Sequence, residues 1–421
     1  MIWRQIDGDR EQIVGDRAGG VLLQGDARTV DLSAYQGRVQ CVYLDPPFFT
    51  GDEFNFRMRV GESGWAEGKQ YLTLGAYSDS FPGGQAQYLA LLRGLLERAY
   101  DLLSDTGALF LHLDSRMSAH ARILCDQIFK ESNFINEIIW AYQSGGRSKR
   151  HFSRKHDVIL FYAKSRQLYF DITRVAVPRR DTRSNHMRRT VDAQGRPCRT
   201  IRAGGKIYTY YDDEPAYPDD VWADVSHLQQ KDPQRTGYDT QKPLALLNRI
   251  VRCCTRPGDI VADLCCGSGT TLMAAAENDC RFLGVDLSPH AISVCRKRLL
   301  DTTLEVRVPF THTGARLEAD LVPGIGYYEI ELQNYEPDLA FPEGTRFTPA
   351  GLRVEGLDAI DQWSVGFLRD GAYKVYVSNA RRKQTPALRT LLELPLLRGQ
   401  AAISIVDVLG RRTLWVPEEE K

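Results

Sequence analysis

Hydrophobic residues recur along the chain in two alternating patterns, namely short apolar runs and longer stretches with helical spacing. The run Val39–Leu44 predicts a buried strand, and the apolar positions of Gln85–Leu103 predict an amphipathic helix. A strand at Gly107–Leu113 and a helix at Ser118–Phe129 are predicted next. Strands that alternate with helices are typical of an α/β fold with a mostly parallel sheet.

The same alternation returns in the second half of the chain, after strands at Asn136–Tyr142 and Asp157–Tyr162. It predicts strand, helix, strand and helix at Ile260–Leu264, Thr270–Ala276, Phe282–Val285 and Pro289–Leu300. From about residue 301 the apolar runs are short and no helical pattern separates them, as in Gly326–Leu332, Ala372–Val377 and Ala401–Val408. This pattern predicts a small β-rich C-terminal domain.

These patterns divide the chain into four parts. Residues 1–144 and 236–300 carry the alternating strands and helices, and we expect them to form the two halves of one α/β domain. Residues 145–235 interrupt that domain as an insertion, and residues 301–421 form an accessory domain. Trp363 and Trp415 are expected in the core of the accessory domain.

The insertion carries most of the charge asymmetry of the chain. The whole sequence has 54 Lys and Arg and 54 Asp and Glu, but residues 145–206 hold 17 Lys or Arg against four Asp or Glu. Such a concentration favours a surface for phosphate backbones, because basic side chains displace condensed counterions. A solvated charged loop is the alternative. The candidate contacts are Arg147, Lys149, Arg150, Arg154, Lys155, Arg179, Arg180, Arg188 and Arg189.

Several protein classes are disfavoured by composition. No apolar stretch is long enough to span a membrane, and the polar N-terminus does not predict a secretory signal. The nine cysteines form no CxxC pair, so neither a disulfide framework nor a metal site is predicted. Reduced thiols in a cytosol are the better interpretation.

A glycine-rich turn connects the strand at Ile260–Leu264 to the helix that begins at Thr270. Gly267 and Gly269 permit positive φ and a close backbone approach, and the helix N-terminus offers N–H groups to a carboxylate. The third glycine of the dinucleotide-binding fingerprint is missing. Asp286 ends the next strand, where an acid can bind both ribose hydroxyls. The two features predict a site for an adenosine that carries an amino-acid tail.

Asp45-Pro46-Pro47-Phe48 directly follows a predicted strand. The Asp45 carboxylate and the Pro46 carbonyl accept hydrogen bonds, so together they can take both N–H groups of an amino group and direct its lone pair. The two prolines would hold these acceptors in place, and Phe48 can stack on a base that has left a duplex. An ordinary proline turn is the alternative interpretation.

The two motifs resemble those of the amino-methyltransferase family of DNA-modifying enzymes, whose signature is (D/N/S)PP(Y/F). The order of DPPF, basic segment and glycine turn resembles the β class of that family. The resemblance covers about residues 20–300. It includes Leu23–Ala27, placed before the first predicted strand, and also Thr50–Asp52, His112–Asp114, Lys155–Asp157 and Thr240–Pro243.

The resemblance implies an S-adenosylmethionine-dependent DNA methyltransferase with a Rossmann-like α/β fold, in which residues 145–235 recognise the target. It implies that Asp45, Pro46, Pro47 and Phe48 are catalytic. The implied cofactor site has Asp26 near the adenine and Lys242 near the methionine carboxylate, with Thr240 and Gln241 in support of Lys242. It also comprises Ala27, Asp263, Cys265, Gly267, Gly269, Thr270 and Asp286. Two positions depart from the family pattern, because Cys265 replaces an aromatic residue and Phe48 replaces the commoner tyrosine.

Adenine N6 is the acceptor that the resemblance favours, because DPP followed by an aromatic residue is commoner among adenine enzymes. Cytosine N4 is the alternative, since its amino group has nearly the same chemistry. A non-catalytic DNA-binding relative with a decayed site at Cys265 is a second alternative, although Asp45, Lys242 and Asp286 are intact. Methylation of RNA or protein is a third.

The resemblance implies double-stranded DNA as the partner, and it also suggests a homodimer and a restriction endonuclease partner. A restriction–modification or epigenetic role would place the protein in the cytoplasm, with the nucleoid. No metal is needed, because the amino group attacks the methyl directly. His112 is predicted to be structural, and Tyr208, Tyr210 and Tyr211 are predicted either to contact nucleic acid or to pack within a sheet.

Overall fold

The structure, a computed structural model, describes residues 2–142, 148–177, 187–309 and 311–418. Its strands are β1 (Ile2–Ile6), β2 (Arg10–Ile13), β3 (Arg17–Gln24), β4 (Val39–Leu44), β5 (Glu53–Arg59), β6 (Tyr71–Ser78), β7 (Leu103–Asp114), β8 (Phe134–Ala141), β9 (His156–Ala163), β10 (Arg188–Val191), β11 (Pro197–Ala203), β12 (Lys206–Tyr211), β13 (Val221–Trp222), β14 (Ile260–Asp263), β15 (Arg281–Asp286), β16 (Thr302–Arg307), β17 (Arg316–Pro323), β18 (Tyr327–Glu336), β19 (Arg346–Thr348), β20 (Ile360–Arg369), β21 (Ala372–Ala380), β22 (Leu391–Pro395), β23 (Gln400–Asp407) and β24 (Arg412–Pro417). Its α-helices are α1 (Gly61–Glu67), α2 (Gly84–Leu102), α3 (Ser118–Cys125), α4 (Leu244–Cys254), α5 (Thr270–Glu277) and α6 (Pro289–Arg298).

The central sheet is mostly parallel. Strands β16, β3, β15, β14, β4 and β7 lie side by side in that order and run in the same direction. Strand β9 continues the sheet antiparallel to β7, β8 is antiparallel to β9, and β13 is parallel to β8. Every residue of Val39–Leu44 is buried, as expected for a parallel strand that is covered on both faces.

Helices cover both faces of this sheet. Successive side chains of a strand point to opposite faces. Cys41 and Tyr43 on β4 therefore belong to one apolar core with residues of α4, α5 and α6, whereas Val42 and Leu44 belong to another with residues of α2 and α3. This doubly wound arrangement confirms the predicted Rossmann-like α/β fold.

The central sheet begins earlier in the chain than the sequence predicts. The segment Leu23–Ala27 is expected to precede the first strand, but Arg17–Gln24 is itself a strand between β15 and β16. Its glycines conceal it, because glycine is unfavourable in strands. A Cβ atom at Gly19 would lie 1.4 Å from the Thr303 carbonyl oxygen, so the close neighbouring backbone requires glycine there.

The boundaries at residues 144 and 235 do not match the sheet. Strands β9 and β13 from this segment lie in the central sheet, so residues 145–235 are not a single insertion. Strands β10, β11 and β12 form a separate antiparallel sheet, and most of their residues are exposed. The predicted helix Ser118–Phe129 is α-helical only to Cys125 and continues as a wider π-helical turn to Lys130.

The β-rich C-terminal part includes the first two strands of the chain, which sequence analysis places in the catalytic half. Strand β1 pairs with β17 and β24, and β2 pairs with β16 and β21. The fully buried Glu11 on β2 accepts hydrogen bonds of 2.9 and 2.7 Å from Arg296 on α6. Trp363 and Trp415 are buried in this part, as predicted.

A third, small sheet contains β19, β6 and β5 in that order, and it was not predicted. It contacts the loop that precedes α4, because the Arg57 N–H donates a hydrogen bond of 3.1 Å to the Gly237 carbonyl. Within the described ranges, no helix combines the length and the apolar character that crossing a lipid bilayer requires.

Candidate active site

Four aspartates lie along the carboxyl edge of the central sheet. Asp45 follows β4, Asp263 ends β14, Asp286 ends β15 and Asp26 follows β3. These four strands are adjacent in the sheet, so their carboxyl ends meet at one edge. The carboxyl edge of a parallel sheet is where ligands bind in doubly wound folds. The fold therefore brings the predicted catalytic and cofactor residues to one place.

A cavity of about 490 Å³ opens along this edge, a size typical of small-molecule sites. The predicted residues that line it are Asp26, Ala27, Asp45, Pro47, Gln241, Lys242, Asp263, Cys265, Gly267, Thr270 and Asp286. Pro46, Phe48 and Gly269 are not among its lining residues. Tyr77 and Tyr238 also line the cavity, and neither was predicted as a site residue.

The glycine turn is held by the two acids that flank it. Gly267 and Gly269 have φ values of +49° and +78°, and a Cβ atom at Gly269 would lie 2.6 Å from the Cys295 sulfur. The Gly267 N–H donates to Asp286 Oδ2 at 2.8 Å, and the Thr271 hydroxyl donates to Asp263 Oδ2 at 2.6 Å. The turn and the start of α5 are therefore fixed before any ligand binds.

Asp263 is buried and Asp286 is half-buried, so both differ from exposed carboxyl groups. Burial raises the pKa of Asp286, although its carboxylate also accepts a hydrogen bond of 2.9 Å from the Ser288 N–H. Burial raises the pKa of Asp263 to about 7, against the opposing hydrogen bonds from Thr271 and the Cys265 N–H. Asp263 therefore changes its charge near neutral pH.

The raised pKa of Asp263 predicts a pH-dependent stability. Between its unfolded value near 4 and about 7, the folded protein binds one proton more than the unfolded chain, so this group's contribution is lost as pH rises through that window. Relative to Asp263→Asn, the wild type is expected to lose about 2 kcal/mol between about pH 5.5 and about pH 8. Chemical denaturation of both proteins at several pH values measures this difference. A difference that does not change with pH would contradict the prediction.

Asp26 is already paired with a cation. The Arg28 guanidinium donates to Asp26 Oδ1 at 3.0 Å and to Oδ2 at 2.5 Å, and these hydrogen bonds lower the pKa of Asp26. Its carbonyl accepts the N–H groups of Thr29 and Val30. A ligand at this end of the cavity therefore meets a neutralised carboxylate.

The side chain of Lys242 lies at the DPPF loop. The family resemblance implies a position near the cofactor carboxylate, and in the structure its ammonium contacts Asp45 Oδ2 at 2.5 Å and lies 5.0 Å from the centre of the Phe48 ring. Gln241 lines the cavity, yet its side-chain amide accepts from Thr236 and donates to the Gln234 carbonyl of the same loop. Lys242 thus orders the Asp45 carboxylate, and Gln241 orders its own loop.

The backbone after Phe48 is held by Asp79, which was not predicted. Asp79 is fully buried, and its two oxygens accept the N–H groups of Phe49 at 2.8 Å and Thr50 at 2.9 Å. Phe49 has a φ of +59°, a conformation that favours glycine, so these hydrogen bonds offset local strain. No motif marks Asp79, because it follows β6 and lies about 30 residues along the chain from the loop that it holds.

Phe48 rests on a buried polar network. Its ring stacks on His112 with a centroid distance of 5.9 Å and an interplanar angle of 23°. His112 is fully buried between the Tyr43 hydroxyl at 2.7 Å and Asp157 Oδ2 at 3.1 Å. A carboxylate only accepts, so the His112 Nε2 donates to Asp157, while its Nδ1 shares a hydrogen bond with the Tyr43 hydroxyl. This geometry agrees with a structural role for His112.

The predicted nucleic-acid residues fall in two exposed segments. Lys149, Arg150 and Arg154 are exposed and Lys155 is half-buried, in the segment before β9, whereas the exposed Arg188 and Arg189 lie on β10. The first segment ends at the carboxyl edge of the central sheet, because Asp157 near the start of β9 pairs with Asp114 at the end of β7. Arg147, Arg179 and Arg180 lie outside the described residues.

A family profile described as DNA methylase, with members specific for N6 or N4, matches residues 39–297, more than half of the chain. The chain belongs to this DNA methylase family. S-adenosylmethionine is the methyl donor of the family. The matched range contains the DPPF loop, the basic segments and the glycine turn, but not β3 or the C-terminal part.

Individual DNA methylases are similar to this chain over part of its length. Type II methyltransferase M.EcaI of Enterobacter cloacae is 27% identical over 62% of this chain and 64% of its own length, so the chain spans less than two thirds of that relative. DNA adenine methyltransferase YhdJ of Escherichia coli K12 is 22% identical over 66% of this chain and 82% of its own. The M1.HpyAVI–SAM complex is 16% identical, covers 67% of this chain and 98% of its own, and has a TM-score of 0.40.

Proposed function

We propose that this DNA methylase transfers a methyl group from S-adenosylmethionine to adenine N6 in duplex DNA. The observation that carries the proposal is the shared cavity. Asp45 of the DPPF loop lines it together with Gly267 of the glycine turn and Asp286 at the end of β15. An acceptor held by Asp45 would therefore lie beside a donor held by the glycine turn. Positioning of this kind supplies a large part of the barrier reduction in a group transfer.

The residues that line the cavity fit S-adenosylmethionine. Each Asp286 oxygen accepts one backbone N–H and retains acceptor capacity, which suits the two ribose hydroxyls. The N-terminus of α5 at Thr270 suits the carboxylate of the cofactor. Asp263, when it is ionised, offers a counter-charge to a positively charged group of the cofactor. S-adenosylmethionine supplies an electrophilic methyl on a positively charged sulfur when it is bound there.

Asp45 has one acceptor oxygen for the target amino group. Its Oδ2 is paired with Lys242, whereas its buried Oδ1 makes no hydrogen bond with any described residue. The Oδ1 atom and the Pro46 carbonyl would accept the two N–H groups of the amino nitrogen and turn its lone pair toward the methyl. Lys242 fixes the carboxylate in that orientation. Phe48, supported by His112, would stack on the base.

The adenine preference is supported by two observations. The DPP motif is followed by an aromatic residue, and the Escherichia coli relative is a DNA adenine methyltransferase. Cytosine N4 is the second candidate, because the Asp45 geometry suits either amino group.

Methyl transfer to DNA in which either every adenine or every cytosine is already methylated distinguishes adenine from cytosine as the acceptor. Such DNA is made by amplification with N6-methyladenine or N4-methylcytosine nucleotides. We expect labelled methyl groups to enter unmodified DNA and DNA made with N4-methylcytosine, but not DNA made with N6-methyladenine. The reverse pattern would assign cytosine N4. The two blocked DNAs control for each other, since each carries an added methyl on every base of one kind.

We propose that the target-recognition surface comprises residues 148–155 and the sheet of β10, β11 and β12. Both are basic and exposed, and on β12 the side chains of Tyr208 and Tyr210 are 46% and 38% exposed, which leaves them available for contact. Residues 236–300 complete the cofactor half of the domain. A homodimer and a restriction endonuclease partner are further proposals that rest on the family alone.

Phosphate contacts by residues 148–155 predict a change in the salt dependence of DNA binding. Replacing Arg150 and Arg154 together with alanine is expected to reduce the slope of log affinity against log salt concentration by about two, because each lost phosphate contact removes about one. Fluorescence anisotropy with labelled duplex at several salt concentrations measures the slope. Alanine at the exposed Arg353 and Arg398 of the C-terminal part is the matched control. Equal slopes for both double variants would refute this surface.

A further inference from the structure

The hairpin of β5 and β6 forms one wall of the cavity. Gly75, Ala76 and Tyr77 near the end of β6 line it, together with the glycine turn. The hairpin is also bound to the loop that carries Lys242, through the Arg57–Gly237 hydrogen bond and a bridge between Phe56 and Tyr238. The wall is thus hydrogen-bonded to the loop that carries Lys242.

The C-terminal part holds this wall in place. Strand β19 extends the hairpin as a third strand, with Phe347 paired to Leu72 and Thr348 paired to Tyr71. One apolar core joins residues of the hairpin, the loop before α4, α6 and the C-terminal part: Phe56, Met58, Val60, Leu72, Leu74, Tyr238, Ala291, Val294, Val408 and Leu409. Phe341 and Phe347 pack against that core, and Pro342 beside them lines the cavity itself.

Tyr77 is the aromatic side chain that the hairpin contributes to the cavity. Its ring stacks on Phe54 with a centroid distance of 5.0 Å, and its hydroxyl hydrogen-bonds to Thr240. Burial raises the pKa of Tyr77, and the nearby Asp45 and Cys265 add to that shift. The Tyr77 side chain therefore shares the cavity with Asp45 and the glycine turn.

Cys265 and Tyr77 line the same cavity. The resemblance to the amino-methyltransferase family implies an aromatic residue at position 265 that packs against the cofactor, and a thiol gives up most of that apolar contact. The Tyr77 ring is an aromatic surface in the same cavity that can supply such a contact.

We propose that the hairpin is a cofactor-binding element in which Tyr77 takes the place of the missing aromatic at Cys265, and that the C-terminal part serves cofactor binding by holding the hairpin. This inference rests on the proposed cofactor, S-adenosylmethionine. It assigns to residues 338–348 a role in the cofactor site rather than in DNA binding.

Titration calorimetry of the full chain with S-adenosylmethionine tests the inference. Tyr77→Ala is expected to raise the Kd about tenfold, and Tyr77→Phe to change it less than about twofold, because the ring makes the contact. Phe347→Ala is expected to raise the Kd about threefold or more, since it loosens the pairing of β19 with the hairpin. Cys265→Phe in the Tyr77→Ala background should restore most of the affinity.

Tyr376→Ala is the matched control, because Tyr376 is an exposed aromatic residue of the same C-terminal part. Its cofactor Kd should equal that of the wild type, and all variants should bind duplex DNA within about twofold of the wild type. A wild-type cofactor Kd for Tyr77→Ala would overturn the inference, as would a Phe347→Ala variant that loses DNA affinity and keeps cofactor affinity. A wild type that binds no cofactor would instead overturn the proposed function.

Discussion

Asp45→Asn is expected to lower the kcat of methyl transfer by about a thousandfold, while the Kd for S-adenosylmethionine changes less than about threefold. The asparagine amide keeps the shape of the side chain but can present N–H groups where the reaction needs an acceptor. It also removes the charge that pairs with Lys242 at 2.5 Å. Single-turnover transfer to duplex DNA and cofactor titration separate the two effects.

Asp52→Asn is the matched control for this experiment. Asp52 is an exposed acid on the same loop. Its main-chain carbonyl, which the substitution leaves intact, accepts the Asp79 N–H. We expect wild-type kcat and Kd for this variant. Equal losses at Asp45 and Asp52 would show that the loop is merely sensitive to charge, and they would remove the catalytic role from Asp45.

Asp79→Ala is expected to lower kcat about a hundredfold and to reduce the free energy of unfolding by about 2–3 kcal/mol. The substitution leaves the N–H groups of Phe49 and Thr50 without their acceptor in a buried site. It also frees Phe49 from its positive φ, so the Phe48 ring and the Asp45 carboxylate lose their fixed relation. Transfer kinetics and chemical denaturation measure the two losses.

Asp79→Asn tests whether Asp79 affects kcat through the hydrogen bonds that hold the loop or through its negative charge. The amide keeps one acceptor oxygen, so this variant should recover part of the kcat that Asp79→Ala loses. An Asp79→Ala variant that is destabilised but transfers methyl groups at the wild-type rate would show that loop geometry does not limit catalysis.

The central fold follows from the sequence because its strands are apolar runs and its helices have one apolar face. Val39–Leu44 and Ile260–Leu264 are predicted within a residue of their observed ends. Strand β3 was missed, since close packing against Thr303 requires glycine where a strand pattern would show a side chain. Strand β2 was missed because it is short and one of its two inward residues is Glu11, whose partner Arg296 lies 285 residues away.

The sequence predicts those parts of the candidate site in which one short segment contains all the residues concerned. The DPPF loop and the glycine turn each combine a strand end with special backbone conformations, so a short motif marks them. Asp79, Tyr77 and Lys242 act through contacts between distant segments, which a single sequence does not display. Lys242 illustrates the difference, because its motif identified the residue while the structure shows its contact with Asp45.

The most direct test of the central claim is the product that the wild type makes in DNA. The protein is incubated with methyl-labelled S-adenosylmethionine and genomic DNA from a strain without DNA methylation, and the DNA is digested to nucleosides. The proposed function predicts that the labelled nucleoside is N6-methyl-deoxyadenosine. Label in N4-methylcytosine would move the acceptor to cytosine and keep the Asp45 mechanism. No label in DNA, from protein that binds the cofactor, would contradict the claim.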